Sequence, residues 1–138
     1  MKDFVPYNEA LELKELGFDE PCFGTYLSSF QSDWKVYELI LEMGMNEEFE
    51  DNRNVYLLEG ACSAPTFSQA FRWFREKYEL TSEVCVEQYR RKTNKKWMFS
   101  ITYLNEDAMY EHSKTTFENY EEAELACLNK LIEIVKNK

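Results

Sequence analysis

The chain has 138 residues, 44% of them hydrophobic and 16% aromatic, and a formal net charge of −10. That composition suffices for one buried core and argues against a disordered chain, so a single folded domain is expected. No apolar run approaches the roughly 18 residues that span a bilayer, and the opening MKDFVPYNEALELKELG lacks the apolar block of a secretion signal.

The charge is lopsided. Residues 1–63 hold 14 acidic and 4 basic side chains, whereas residues 64–138 hold 12 of each. An acidic half repels phosphate backbones and anionic membranes; it suits a basic protein partner, or simply solubility. The cysteines Cys22, Cys62, Cys85 and Cys127 are scattered. In a reducing cytosol, where the chain is expected, they read as small buried hydrophobes.

In chain order, Pro6 to Leu16 reads as a helix with proline in its first turn. Gly17 suits the left-handed position past its end, and Phe18 suits an apolar contact back to Leu13. Cys22 to Leu27 reads as a first strand, and Ser28 to Asp33 as a loop. Trp34 to Leu41 is β-rich enough for a second strand, although KVYELILEM also fits a helix. Met43 to Asn54 is an acidic loop, Val55 to Leu58 a third strand, and Gly60 its end.

Ala64 to Leu80, APTFSQAFRWFREKYEL, is the densest aromatic stretch. Thr66 and Gln69 form a capping-box pattern, and Pro65 prevents an earlier helix start. Phe67, Ala70, Phe71, Phe74 and Tyr78 recur at helical spacing as a core stripe. Trp73 falls beside that stripe: it either packs under a neighbouring loop or stands exposed as an anchor for a partner. Glu83 to Tyr89, Lys95 to Leu104 and Met109 to Phe117 read as three further strands. In the middle one, Trp97, Phe99, Ile101 and Tyr103 alternate with Lys96, Met98, Ser100 and Thr102. A helix from Tyr120 to Val135 closes the chain, with Ala123, Cys127, Leu128, Leu131, Ile132 and Val135 on its apolar face.

The expectation is an α+β fold in the order α-β-β-β-α-β-β-β-α, with antiparallel sheets and helices packed on one face. Residues 1–63 would form an acidic lobe and residues 64–138 an α-β-β-β-α lobe.

Chemistry is sparse. His112 is the one histidine, without a local Cys–His signature, and the cysteines lack metal-ligand spacing. The four glycines are isolated, so no phosphate-cradling loop is present. No catalytic residue, metal or cofactor is expected. The candidates for protein contact are Trp34, Trp73 and the acidic residues Glu47, Glu48, Glu50 and Asp51. The alternative is nucleic-acid binding through Arg90, Arg91, Lys92, Lys95 and Lys96, basic residues flanked by Tyr89 and Trp97. The α-β-β-β-α order looks like a double-stranded RNA-binding domain, and its βββα part is similar to the arm-type DNA-binding domains of phage integrases. Against the first stands the start of the last helix, where Glu121, Glu122 and Glu124 would repel phosphate.

Three blocks, FVPYNEALELKELGFDEPCFG (Phe4 to Gly24), APTFSQAFRWFREKYEL (Ala64 to Leu80) and FENYEEAELACLNKLIEIVK (Phe117 to Lys136), resemble small proteins encoded by phages and prophage-like elements of gut-type bacteria. The resemblance implies a setting and no residue roles. It suggests a small accessory protein in the cytoplasm of a bacterial host, acting by contact with a host or phage protein of basic surface. Blocking a host defence complex is one such role. A homodimer closed through a strand edge or the Trp73 face is a further option.

Overall fold

The computed structural model describes residues 2–31, 34–41, 53–57, 59–87, 96–105 and 110–138. Helix α1 (Tyr7–Glu15) starts after Pro6 and ends on Gly17, whose φ of 93° is the left-handed conformation that glycine adopts without steric cost. The amide of Gly17 donates to the Lys14 carbonyl (3.0 Å) and that of Phe18 to the Leu13 carbonyl (2.9 Å). This is the Schellman pair expected from the sequence, and Leu13 and Phe18 are both buried.

Strands β1 (Gly24–Gln31) and β2 (Trp34–Leu41) form an antiparallel hairpin paired from Gly24↔Leu41 to Gln31↔Trp34. The strand reading of Trp34 to Leu41 is therefore correct to the residue. The expected loop at Ser28 to Asp33 is shorter, because the ladder runs on through Gln31. Of the acidic loop expected at Met43 to Asn54, residues 43–52 lie outside the described residues.

The third strand is not Val55 to Leu58. Asn54–Tyr56 is a turn of 3₁₀ helix, and the strand, β3, is Cys62–Ala64, paired with Gly24–Tyr26 of β1. The reason is side-chain competition for the backbone. Asp19 accepts from the Val55 amide (2.9 Å), while Lys14 donates to the carbonyls of Leu57 (3.3 Å) and Ala61 (2.6 Å). Asn54, itself buried, donates to the Phe18 carbonyl (2.6 Å) and accepts from the Ser63 amide (2.8 Å). Groups so satisfied have no need of a ladder. Gly60 (φ 84°) thus precedes β3 instead of ending a strand.

The first sheet has the order β2-β1-β3. Tyr7 of α1 stacks on Tyr37 of β2 (4.4 Å between centroids, 8° between planes) and meets Tyr26 edge-on at 5.5 Å. Residues Met1–Thr66 form one compact unit and Phe67–Lys138 a second. This division lies three residues beyond the expected lobe boundary at 63/64. Phe4 bridges Thr66 and the Val5 amide donates to the Pro65 carbonyl (2.9 Å), tying those residues to the first unit.

In the second unit, α2 (Phe67–Tyr78) buries Phe67, Ala70, Trp73 and Phe74. Glu79, at φ 56°, reverses the chain directly into β4 (Leu80–Val86), so this strand begins earlier than the expected Glu83. Strand β5 (Trp97–Tyr103) pairs with β4 along its whole length. Strand β6 is only Tyr110–His112, shorter than the Met109 to Phe117 expected. Past it, Ser113 donates its amide to the Phe99 carbonyl (2.9 Å), and its hydroxyl accepts from the Phe99 amide (3.2 Å). Pairing resumes only at Phe117, opposite Trp97. Lys114, Thr115 and Thr116 bulge out, all exposed, because the serine side chain has replaced a ladder carbonyl.

The second sheet has the order β4-β5-β6. Helix α3 (Tyr120–Lys136) is capped by Asn119, whose side chain accepts from the Glu122 amide (2.9 Å). It packs on β4, β5 and α2 and buries Ala123, Cys127, Leu128, Leu131 and Ile132. The fold is thus α+β in the expected order α-β-β-β-α-β-β-β-α, with two three-stranded antiparallel sheets.

Candidate functional site

Alternation along β2 separates a held face from an open one. Tyr37 and Leu39 point toward α1 and are partly buried, while Glu38 and Ile40 point away and are exposed. Ile40 is 42% exposed and Leu41, at the strand end, 37%. Leu27 of β1, paired with Glu38, lies diagonally beside Ile40 on the same face. Phe23 (57%) and Val55 (66%) are the other large exposed apolar side chains of this unit among the described residues. Strand β2 ends its sheet, with β1 its one strand partner among the described residues. The first unit therefore offers exposed apolar side chains on and beside a terminal strand, in the half of the chain with 14 acidic and 4 basic side chains.

The predicted contact residues map unevenly onto this surface. Trp34 is the first residue of β2, opposite Gln31. Glu47, Glu48, Glu50 and Asp51 follow β2 in sequence and lie outside the described residues. Trp73 is not an exposed anchor. It is 6% exposed, edge-on to Phe74 (5.1 Å) and Tyr78 (5.2 Å), with the Lys77 ammonium 5.0 Å above its ring. The buried stripe of α2 is rotated toward Trp73, and Phe71 and Tyr78 are only partly buried. The sequence pattern missed this because tryptophan, the largest side chain, was placed off a stripe defined by the phenylalanines.

Of the basic run, Arg90, Arg91, Lys92 and Lys95 lie outside the described residues. Lys96 is ion-paired with Glu118. The neighbouring Trp97 meets Tyr120 edge-on at 5.3 Å, and its backbone is tied to Phe117.

A second feature, unforeseen in the sequence, is an open groove between β6 with its bulge and α3. Phe99 and Phe117 form its floor, with ring centroids 6.1 Å apart, and Glu111, Lys114 and Lys130 line its sides. Lys130 lies 3.2 Å from Glu133 and 3.9 Å from Glu111, which also accepts from the Tyr103 hydroxyl (3.3 Å). Lys130 is thus paired with both carboxylates. His112 lines it and meets Tyr110 edge-on at 4.0 Å. Its lining places no cysteine beside this histidine.

No family model, characterised protein or solved structure matches this chain.

Buried thiols are held protonated. Burial raises Cys22, Cys62 and Cys127 to about 12, with Glu20 adding to the effect at Cys22. Lys14 opposes it at Cys62 and a hydrogen bond with Ser82 at Cys127, but burial prevails at both. A thiol in that state is a poor nucleophile. No described helix is long and apolar enough to cross a membrane. The surface with the clearest binding character is thus the open side of the β1–β2 hairpin.

Proposed function

We propose that this chain is a non-enzymatic accessory protein, of the phage type its three sequence blocks resemble, and that it works by binding another protein through its first unit. The observation that carries the reading is the exposure of Ile40 and Leu41 on a terminal strand, within an acidic unit. An apolar spot in an acidic surface suits a partner face that is basic around an apolar centre. The groove of a nucleic-acid-handling protein has that chemistry, and an acidic protein seated in it would act as an inhibitor.

The test is capture from bacterial lysate by the immobilised protein, beside the variant I40D/L41D. Ile40 is 42% and Leu41 37% exposed, so the melting temperature of the variant is measured beside that of the unaltered chain to show that it stays folded. The expected result is a protein retained at about 50 mM salt, released at about 0.5 M, and absent from the variant. Equal retention by the variant would overturn the reading. Nucleic-acid binding through the Arg90–Lys96 run predicts instead a gel shift abolished by charge reversal at Arg90 and Arg91.

A further inference from the structure

We propose that the groove between β6, its bulge and α3 binds a free aromatic amino acid. This site belongs to the second unit and is separate from the protein contact assigned above to the first.

Small-molecule sites are concave and mostly apolar, with a few polar groups that fix orientation. The groove has that form. Its larger lobe encloses about 520 Å³, and a second lobe continues from it past Phe99, Ser113, Lys114 and Lys130. The hollow beside Gly17 is smaller, about 280 Å³, and its charged groups are already taken. Lys14 there donates to the carbonyls of Leu57 and Ala61, and Asp19 is held by Arg53 and the Val55 amide.

The groove is also preformed. Ser113 is fixed to Phe99 through both its amide and its hydroxyl. Phe117 donates to the Trp97 carbonyl (2.8 Å) and accepts from the Trp97 amide (2.9 Å). Both ends of the 114–116 bulge are thereby pinned, and the chain between them leaves the ladder to form a wall facing α3. Bulges are used in this way beside sites, to re-aim side chains. A wall fixed in advance needs little ordering when a ligand arrives.

The floor suits a ring. Phe99 and Phe117 lie with centroids 6.1 Å apart and planes at 27°, and Ala126 of α3 lines the groove beside them. An aromatic ligand gains from apolar burial and from ring contact on such a floor.

The walls carry charge of both signs. On one side Lys130 is shared by Glu111 and Glu133, and two carboxylates against one ammonium leave an excess of one negative charge. Glu111 accepts from the Tyr103 hydroxyl at Oε1, while its Oε2, 3.9 Å from Lys130, is beyond hydrogen-bond distance. Glu133 meets Lys130 through Oε1. Each carboxylate thus keeps Oε2 as an acceptor for an ammonium. On the other side Lys114 lines both lobes, is exposed and makes no ion pair among the described residues. A simple anion would be opposed by the excess carboxylate and a simple cation by Lys114. A zwitterion satisfies both walls. An aromatic amino acid has each part: a ring for the floor, an ammonium for Glu111 and Glu133, and a carboxylate for Lys114.

The experiment is an NMR titration of the full chain with three probes that share an indole ring. L-tryptophan carries both charges, tryptamine lacks the carboxylate, and indole-3-propionate lacks the ammonium. L-tryptophan should give saturable shifts at amides within residues 113–117 and 126–133, with a Kd of about 1 mM or below. Both truncated probes should bind about threefold or more weakly. Lys114→Ala, with its melting temperature measured beside that of the unaltered chain, should weaken L-tryptophan by about threefold and leave tryptamine unchanged. Absence of saturable shifts with L-tryptophan up to about 10 mM would overturn the proposal. So would binding of either truncated probe as tight as that of L-tryptophan, an equal loss of both ligands in Lys114→Ala, or shifts confined to residues outside the groove. None of these outcomes involves Ile40 or Leu41, so failure here leaves the protein-contact reading standing.

Discussion

Burial sets the chemistry of the cysteines. Cys22, Cys62 and Cys127 are at most 1% exposed, whereas Cys85 is partly exposed. Iodoacetamide under native conditions should therefore label Cys85 ahead of the other three, as read by mass spectrometry. The same thiols make stability pH-dependent. Unfolded, they ionise near 9; folded, they stay protonated to about 12. The unfolded chain binds fewer protons in that window, so this contribution is intact below about pH 9 and is lost as pH rises toward 12. Denaturation midpoints should fall across that range, and less steeply in Cys62→Ala. Trp73 is a stability residue by the same logic of burial. Trp73→Ala should cost about 3–5 kcal/mol by chemical denaturation; a loss below about 1 kcal/mol would contradict its core placement. Gly60 is constrained twice over, by φ 84° and by the Tyr37 hydroxyl, which would lie 2.2 Å from an added Cβ. Tyr7, whose hydroxyl donates to the Gly60 carbonyl (2.8 Å), shares that corner.

At the scale of elements, caps and reversals carry the specific predictions. Asn119→Ala removes the side-chain acceptor for the Glu122 amide and should cost about 0.5–2 kcal/mol, with fraying of the first turn of α3 visible in hydrogen exchange. Glu79 is the opposite case. It holds φ 56° without being glycine, between the end of α2 and the start of β4, while its carbonyl accepts from the Leu104 amide (2.9 Å). Glu79→Gly should relieve left-handed strain and leave stability unchanged or raise it by about 1 kcal/mol. A clear loss in thermal unfolding would show that the Glu79 side chain does more than occupy a turn. The bulge at 114–116 depends on Ser113, whose hydroxyl takes the Phe99 amide, so Ser113→Ala should loosen β6 before any other strand.

At the scale of the whole molecule, the charge asymmetry and the two units align. Residues 1–63 carry the entire acidic excess, and the unit that contains them ends at Thr66. The second unit has balanced charge, and in its groove Lys130 is paired with both Glu111 and Glu133. Binding that depends on the first unit should weaken steeply with salt, whereas substitutions in the groove should leave it unchanged. Lys130→Ala is the control, expected to retain the captured protein to the same extent as the unaltered chain.

What the sequence determined alone was everything set by local chemistry. The stop at Gly17, the helix at Tyr120, the hairpin strand at Trp34 to Leu41 and the order of elements are legible because neighbouring residues suffice to specify them. Tertiary structure decided what depends on distant partners. Val55 to Leu58 has the composition of a strand, yet Asp19, Lys14 and Asn54 divert the backbone around it, and the small residues Cys62–Ala64 take the ladder instead. Trp73 has the composition of an anchor, yet Phe74 and Tyr78 enclose it. The exposed Ile40 could not be told from a core residue by its letter, because strand alternation gives two faces without saying which one α1 covers; the stack of Tyr37 on Tyr7 makes that choice.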